Sequence, residues 1–272
     1  MSLVTCEIMG GLGNQLFQIY NLIAFSMKYG KQYYYPNYKG MKSIDNKSFR
    51  PNYIKLFLVN QQCKIKDLRD TKVIKEGGFK YRPINYQNEN KNIKLVGYFQ
   101  SYKYFNDYSI YINKILDIDK YRNNLKSKLE EGITISIHFR IGDYTSSKLY
   151  PILDASYYIK SLKHILSSIG NDKVIIYYSY MIEDTKKVDK FLKEIKKEYS
   201  NLKINCIDRE LQDWEQMLVM SLCNHNIIAN STFSWWSAYL NNNNNKIVCY
   251  PSRWLNGKDT KDLFLDSWTK IT

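Results

Sequence analysis

The chain has 272 residues, 44% hydrophobic and 24% charged, with a formal net charge of +14 at pH 7. This is the composition of a globular protein with one large or two modest cores. No stretch approaches the roughly 20 apolar residues that a membrane span needs. The positive balance calls for an acidic partner: nucleic acid, an anionic membrane surface or a phosphorylated small molecule.

Leu3–Met9 reads as a first strand. The opening residues lack the basic and apolar regions of a leader peptide, so a soluble cytoplasmic protein is expected. A turn at Gly10-Gly11-Leu12-Gly13 leads into a helical pattern from Asn14 to about Tyr29, with Leu16, Ile19, Tyr20, Ile23 and Met27 on one face and Gly30 as its stop. Tyr33-Tyr34-Tyr35 reads as a strand halted by Pro36, and the polar stretch from about Lys39 to Asn92 carries no assignable pattern. Asp117–Glu130 is a linker or a bridging helix.

From near Glu131 the pattern becomes regular. Ile133–Ile137 is a buried strand, and Asp154 or Ser156 caps a helix through Leu166. Strands at Val174–Ser179, Leu202–Ile207, Ile227–Ala229 and Ile247–Tyr250 alternate with helical segments. The alternation predicts an α/β fold with a parallel, doubly wound sheet and right-handed crossovers. Two domains are expected, residues 1–125 and 126–272. The lysines between Lys186 and Lys197 alternate with acids, which marks a solvated helix face. Five scattered cysteines without Cys-x-x-Cys spacing predict reduced thiols, with neither a zinc site nor a disulfide framework. Asn46-Lys47-Ser48 and Asn230-Ser231-Thr232 match the glycosylation pattern by chance.

Three turns could carry chemistry. The strand ending at Ile137 runs into His138, Arg140 and Asp143 before Tyr144. Ligands bind at the carboxyl ends of α/β strands, and a planar guanidinium grips phosphate in two places without losing its charge. A strand end with a surface salt bridge is the plain alternative. Gly10-Gly11-Leu12-Gly13-Asn14 lets a backbone approach a ligand at a helix N-terminus. It is neither a dinucleotide fingerprint nor a P-loop, and a tight turn is its plain reading. Asn230-Ser231-Thr232 opens a helix bearing Trp235 and Trp236, either as an N-cap or as a phosphate cradle. Together the turns offer Arg140, amides and hydroxyls to a pyrophosphate, for which no metal is required. Asp117-Ile118-Asp119, a possible cation-holding pair, reads as a surface turn, and His164 as structural.

With these residues laid out, the chain resembles the α-1,2-fucosyltransferases of glycosyltransferase family 11. The resemblance covers Gly10–Gln18, Gly97–Phe105, His138–Tyr144, Met220–Leu240, Pro251–Trp254 and Asp262–Ile271. It implies a GT-B-like architecture, two Rossmann-type domains facing a cleft, and inverting, metal-independent transfer from GDP-β-L-fucose to a galactose-type 2-hydroxyl. By motif, Arg140 would bind the β-phosphate, His138 would lie against the nucleoside, and Ser231 and Thr232 would hold phosphate. Asn230 stands with them on the donor side. Gly11, Gly13 and Asn14 would reach the donor from the facing domain. Asp143 is the candidate base, with ordering of the turn as its alternative. Relatives commonly place an acid near Gln216 for guanine; here Glu215 stands one position away, about 100° around a helix. Tyr98, Phe99, Tyr102 and Trp254 are either sugar-stacking or core aromatics. Peripheral docking on anionic membrane carrying a lipid-linked acceptor is a further expectation. A transferase for another nucleotide sugar and a basic nucleic-acid-binding protein are the competing readings.

Overall fold

The computed structural model describes residues 2–35, 41–42, 49–50, 53, 70–87, 90–170 and 173–272. Cys63 and the Asn46-Lys47-Ser48 triplet lie outside them. Two compact units form: Met1–Asp119 with Asp259–Leu265, and Lys120–Lys258 with Asp266–Thr272. The changeover falls at Asp119/Lys120, against an expected 125/126, and Asp259–Leu265 returns to the first unit although it is remote in sequence.

The first unit opens with β1 (Leu3–Cys6), α1 (Leu12–Tyr29) and β2 (Gln32–Tyr33). An antiparallel pair, β3 (Met41–Lys42) and β4 (Phe49–Arg50), precedes β5 (Thr71–Lys75) and β6 (Asn92–Val96). The four long-range strands form a parallel sheet in the order β2-β1-β6-β5. The chain leaves β1 toward β2 on one side and later fills the other side with β6, so the order reverses between β1 and β6. The carboxyl ends of those two strands flank the crevice where such sheets take ligands. Helix α1 is buried from Leu12 to Ser26 except at Asn14, so no single apolar face exists. Met27, expected inside, is 38% exposed because only the last turn emerges.

Two short helices follow, α2 (Ser109–Ile115) and α3 (Ile118–Leu125). The linker expectation resolves as helix. Asp117 occupies the left-handed region between them (φ 52°) and is exposed, like Asp119, as a surface turn requires.

The second unit is a six-stranded, wholly parallel sheet in the order β12-β11-β10-β7-β8-β9. Its strands are β7 (Ile133–His138), β8 (Val174–Ser179), β9 (Lys203–Cys206), β10 (His225–Ile227), β11 (Val248–Pro251) and β12 (Thr269–Ile271). Between them run α4 (Ala155–Ile169), α5 (Thr185–Glu198), α6 (Asp213–Leu222) and α7 (Thr232–Tyr239). Ile135, Ile137, Ile176, Leu162 and Ile165 fill the core between sheet and helices. Helix α5 buries Val188 and Ile195 and leaves its lysines solvated, as expected. Asp154, not Ser156, caps α4: its Oδ1 accepts from the Tyr157 N–H at 3.2 Å and from the Ser156 hydroxyl at 2.7 Å. Cys6, Cys206, Cys223 and Cys249 are free thiols, and Asn230, at 1% exposure, cannot carry a glycan. Among the described residues no helix is long and apolar enough to cross a membrane.

In this sheet β8 and β9 are laid down successively on one side of β7, and β10, β11 and β12 successively on the other, so the order reverses between β7 and β10. Tyrosines of α4 pin the strand ends there. Tyr157 donates to the Ile228 carbonyl at 2.6 Å and the Cys249 carbonyl at 3.2 Å, while Tyr158 donates to the His138 carbonyl at 3.3 Å. Tyr157→Phe keeps the ring but leaves buried carbonyls short of a donor, a loss of about 1–3 kcal/mol. Urea unfolding should show a lower midpoint with an unchanged slope; an unaltered midpoint would mean that water replaces the hydroxyl.

Candidate functional site

The reversal between β7 and β10 brings two of the expected turns together. His138 ends β7, and its ring packs 5.0 Å from that of Phe233 in the first turn of α7. Tyr144 stands in the 3-10 turn Gly142–Ser146 and donates from its hydroxyl to the Asn230 carbonyl at 3.0 Å. The His138–Tyr144 and Asn230–Phe233 segments are therefore one structural feature. Ser231 is the N-cap residue of α7 without using its hydroxyl as a cap, and Thr232 begins the helix half-exposed. The first N–H groups of α7 have no helical acceptor of their own, which makes this end suited to an anion.

Arg140 is held from two sides. Its guanidinium lies 5.1 Å over the Tyr144 ring, which itself stacks on Tyr150 at 4.4 Å. One terminal nitrogen reaches the Met181 sulfur at 2.7 Å. Cation–π contact and a planar support restrict a side chain that would otherwise lose much rotamer freedom on binding. The turn beneath is fixed by Asp184, whose two carboxylate oxygens both accept from the Gly142 N–H at 2.9 Å. Gly142 has φ 21°, so the turn favours glycine. The side chain of Asp143 lies outside the described residues.

His138 Nδ1 and Asn230 Oδ1 are among the buried polar atoms that make no hydrogen bond within the described residues. Such atoms are rare in a folded interior and point to a missing partner. The Asn230 amide nitrogen is committed to the Pro151 carbonyl at 2.8 Å and the Trp254 carbonyl at 3.3 Å. Asn230 thus also ties the turn to two neighbouring loops. Burial, then the charge of Arg140, pushes the His138 imidazole down to about 3. The ring is neutral near pH 7 and leaves Arg140 as the positive charge of the strand end.

Glu215 accepts from the Gln212 N–H at 2.8 Å in a capping box that opens α6. Gln216 spends both ends of its amide, accepting from the Ser179 hydroxyl at 2.8 Å and donating to the Leu211 carbonyl at 3.0 Å. His225 accepts from the Ile247 N–H at 3.0 Å and is structural.

The glycine turn stands in the first unit at the end of β1. Gln18 brackets Met9, accepting from its N–H at 2.8 Å and donating to its carbonyl at 3.0 Å. Gln15 donates to the Gly10 carbonyl at 3.0 Å. Gly10 has φ 76°, and a Cβ there would sit 2.4 Å from Asn14 Nδ2. Gly11 is the N-cap residue of α1, and Gly13 is buried in its first turn, immediately before Asn14. Asn14 Oδ1 accepts from Gln100 Nε2 at 2.9 Å, joining the ends of β1 and β6.

Sequence reasoning missed Asp184, Tyr144, Gln18 and Gln100 as parts of these sites. Tyr144, Gln18 and Gln100 lie inside the motif blocks, so the blocks were the available signal. Asp184 carries none, since it meets Gly142 only through the β7–β8 pairing.

A model of "Glycosyl transferase family 11" matches residues 2–272. The chain belongs to this family. The family 11 chain is 35% identical over 150 residues to the O-antigen biosynthesis glycosyltransferase WbnK of Escherichia coli, a match covering 52% of this chain and 46% of that protein. The match thus spans about half the length of that relative. An alpha-1,2-colitosyltransferase of Escherichia coli is 25% identical over 296 aligned positions, covering 100% of this chain and 99% of the relative. Two solved structures share the fold. POFUT1 in complex with GDP has a TM-score of 0.51 at 10% identity, covering 92% of this chain and 98% of that one. A variant of Arabidopsis thaliana FUT1 in complex with GDP has a TM-score of 0.50 at 11% identity, covering 93% and 71%. The likeness is one of fold, the GT-B class with two Rossmann-type units.

An unfolded chain takes up a proton on His138 near 6.5, whereas the folded chain does so only near 3. Stability from this group is complete above pH 6.5 and declines as the pH falls toward 3, by up to about 1.4 kcal/mol per pH unit. Urea unfolding between about pH 7.5 and about pH 4.5 checks this against His138→Phe, which should lose that part of the slope. Equal slopes in the two proteins would contradict it.

Proposed function

We propose that the chain transfers L-fucose from GDP-β-L-fucose to a hydroxyl of a glycan acceptor, the 2-OH of a galactose-type sugar, with inversion and without a metal ion. One observation carries the reading: Arg140 and the amide-rich start of α7 sit at the same strand-order reversal, tied by the Tyr144–Asn230 hydrogen bond. Membership of family 11 supports glycosyl transfer, and the name of the colitosyltransferase supports a 1,2 linkage. The GDP in the two structural neighbours supports a guanosine diphosphate donor.

In the proposed reaction the bond from the sugar C1 to the β-phosphate oxygen breaks as a bond from the acceptor oxygen to C1 forms on the opposite face. Negative charge grows on the departing diphosphate. Arg140 and the N–H groups of the first turn of α7 meet that charge in a setting already organised for it, so little reorganisation is needed during the step. Ser231 and Thr232 add hydroxyl donors to the same oxygens. His138, neutral and packed on Phe233, lies against the nucleoside. Asp143 takes the acceptor proton. Glu215 offers the guanine edge the carboxylate oxygen not used in its capping box. The excess positive charge of the chain fits peripheral contact with an anionic membrane that carries the acceptor.

A second donor is favoured by one observation. Gln216, where relatives place a guanine-reading acid, is fully engaged with Ser179 and Leu211. Together with the colitosyl relative, this supports another nucleotide sugar as the alternative.

The purified protein in EDTA, given GDP-fucose, GDP-mannose or UDP-galactose with lactose or N-acetyllactosamine, tests the reading. Turnover of GDP-fucose alone is expected. Arg140→Ala should lower kcat by about 10²–10³-fold, because the lost contact is strongest in the transition state. Turnover of a different donor would establish the alternative, and a dependence on added divalent cation would contradict the metal-free mechanism.

A further inference from the structure

Helix α5 carries a charge pattern that the fold does not need. Val188 and Ile195 are buried on one side of it, with Phe191 and Leu192 partly buried beside them. Lys186, Lys190, Lys193 and Lys197, all exposed, recur at steps of four, three and four residues. At about 3.6 residues per turn that spacing draws one line along the helix, opposite the buried side. Lys187 and Lys196 flank the line, as do Asp189, Glu194 and Glu198. None of the six lysines makes an ion pair among the described residues. Like charges three and four residues apart destabilise a helix. The stripe therefore weakens the fold and finds no compensation within the chain, which points to an anionic surface outside it.

Two features choose between the anionic surfaces. Helix α5 holds lysines but no arginine and no exposed aromatic side chain. Nucleic acid is gripped by the arginine fork and by stacked rings, whereas compact ammonium groups suit a diffuse layer of lipid phosphates. The second feature is apolar. Ile182 is 62% exposed and Met181 38% exposed, in and beside the 3-10 turn Ile182–Asp184 that leads into α5. Large apolar side chains at the head of a cationic stripe fit the headgroup and acyl boundary of a bilayer. Helix α4, beside α5 on the same face of the sheet, adds the exposed Lys163.

The same turn borders the candidate site, all within the second unit. Asp184 closes it and holds the Gly142 N–H, and the Met181 sulfur meets Arg140. A bilayer that touches Ile182 therefore lies beside the strand end that carries Arg140.

We propose that the lysine stripe of α5, with Ile182 at its head, is the surface by which the chain docks on an anionic membrane, bringing the Arg140 crevice to an acceptor carried by lipid. This docking role rests on the membrane contact in the reading above and not on which sugar is transferred.

Co-sedimentation of the full chain with vesicles tests it. Wild type should bind vesicles of phosphatidylglycerol and phosphatidylcholine in equal parts, not vesicles of phosphatidylcholine alone, and high salt should release it. Lys190→Gln with Lys193→Gln should lower the partition coefficient by about tenfold or more, and Ile182→Ser by about tenfold. The same loss of charge at Lys120 and Lys126 of α3, which is tied to α6 through Arg122 and Ser221 on the other face of the sheet, should change it by less than about twofold. The α5 variant should melt no lower than wild type, because repulsion along the helix is relieved. Equal losses from the two pairs, binding to phosphatidylcholine alone, or a lowered Tm in the α5 variant would each overturn the proposal. Capture of a single-stranded oligonucleotide through the stripe, with vesicles left unbound, would overturn it in favour of nucleic acid. Vesicle binding needs no donor, so failure of the fucosyl reading would leave the docking surface standing.

Discussion

The reversal of strand order in each parallel sheet is the constraint on which the rest depends. The crossover from β1 through α1 places β2 on one side, and β6 is left to fill the other. The second sheet repeats the pattern between β7 and β10. At each reversal two neighbouring carboxyl ends diverge into loops with no crossover above them, and a crevice remains. The polar motifs collect there because those are the strand ends without covering chain. The Asn14–Gln100 bond spans one reversal and the Tyr144–Asn230 bond the other.

Each crevice is braced by buried groups that do not reach it themselves. In the second unit Asp184 fixes the Gly142 turn, and Tyr157 and Tyr158 hold the strand carbonyls from beneath. In the first, Gln15 and Gln18 clamp the backbone of Met9 and Gly10. These side chains cost desolvation and return it through bonds made in full. The result is a set of amides and one guanidinium already oriented for an anion. His138 fits the same logic: burial keeps it uncharged beside Arg140, so the two do not repel.

Much of the second unit was legible in the sequence, because its strands are short β-branched runs between helices of ordinary period. Val174–Ser179 coincides with the expectation, and Asp154 caps its helix as one of two named residues. The first unit was harder. Helix α1 is enclosed on nearly all sides, which erases the apolar stripe that periodicity detects, and Met27 misled for that reason. The return of Asp259–Leu265 to the first unit has no local signal at all, since Asp262 finds Lys103 and Tyr81 only in three dimensions. At the candidate site, His138, Arg140 and Asn230 could be read because strand ends announce them. Their braces could not. Asp184 accepts from a backbone N–H group, and such a contact leaves no spacing in the chain to find.

The most direct test of the account is a crystal structure of this chain with GDP. The account predicts the β-phosphate between Arg140 and the first N–H groups of α7, with heavy-atom separations of about 3 Å, and the nucleoside against His138. A diphosphate bound at the ends of β8 and β9, with Arg140 still resting on Tyr144 and untouched, would contradict it.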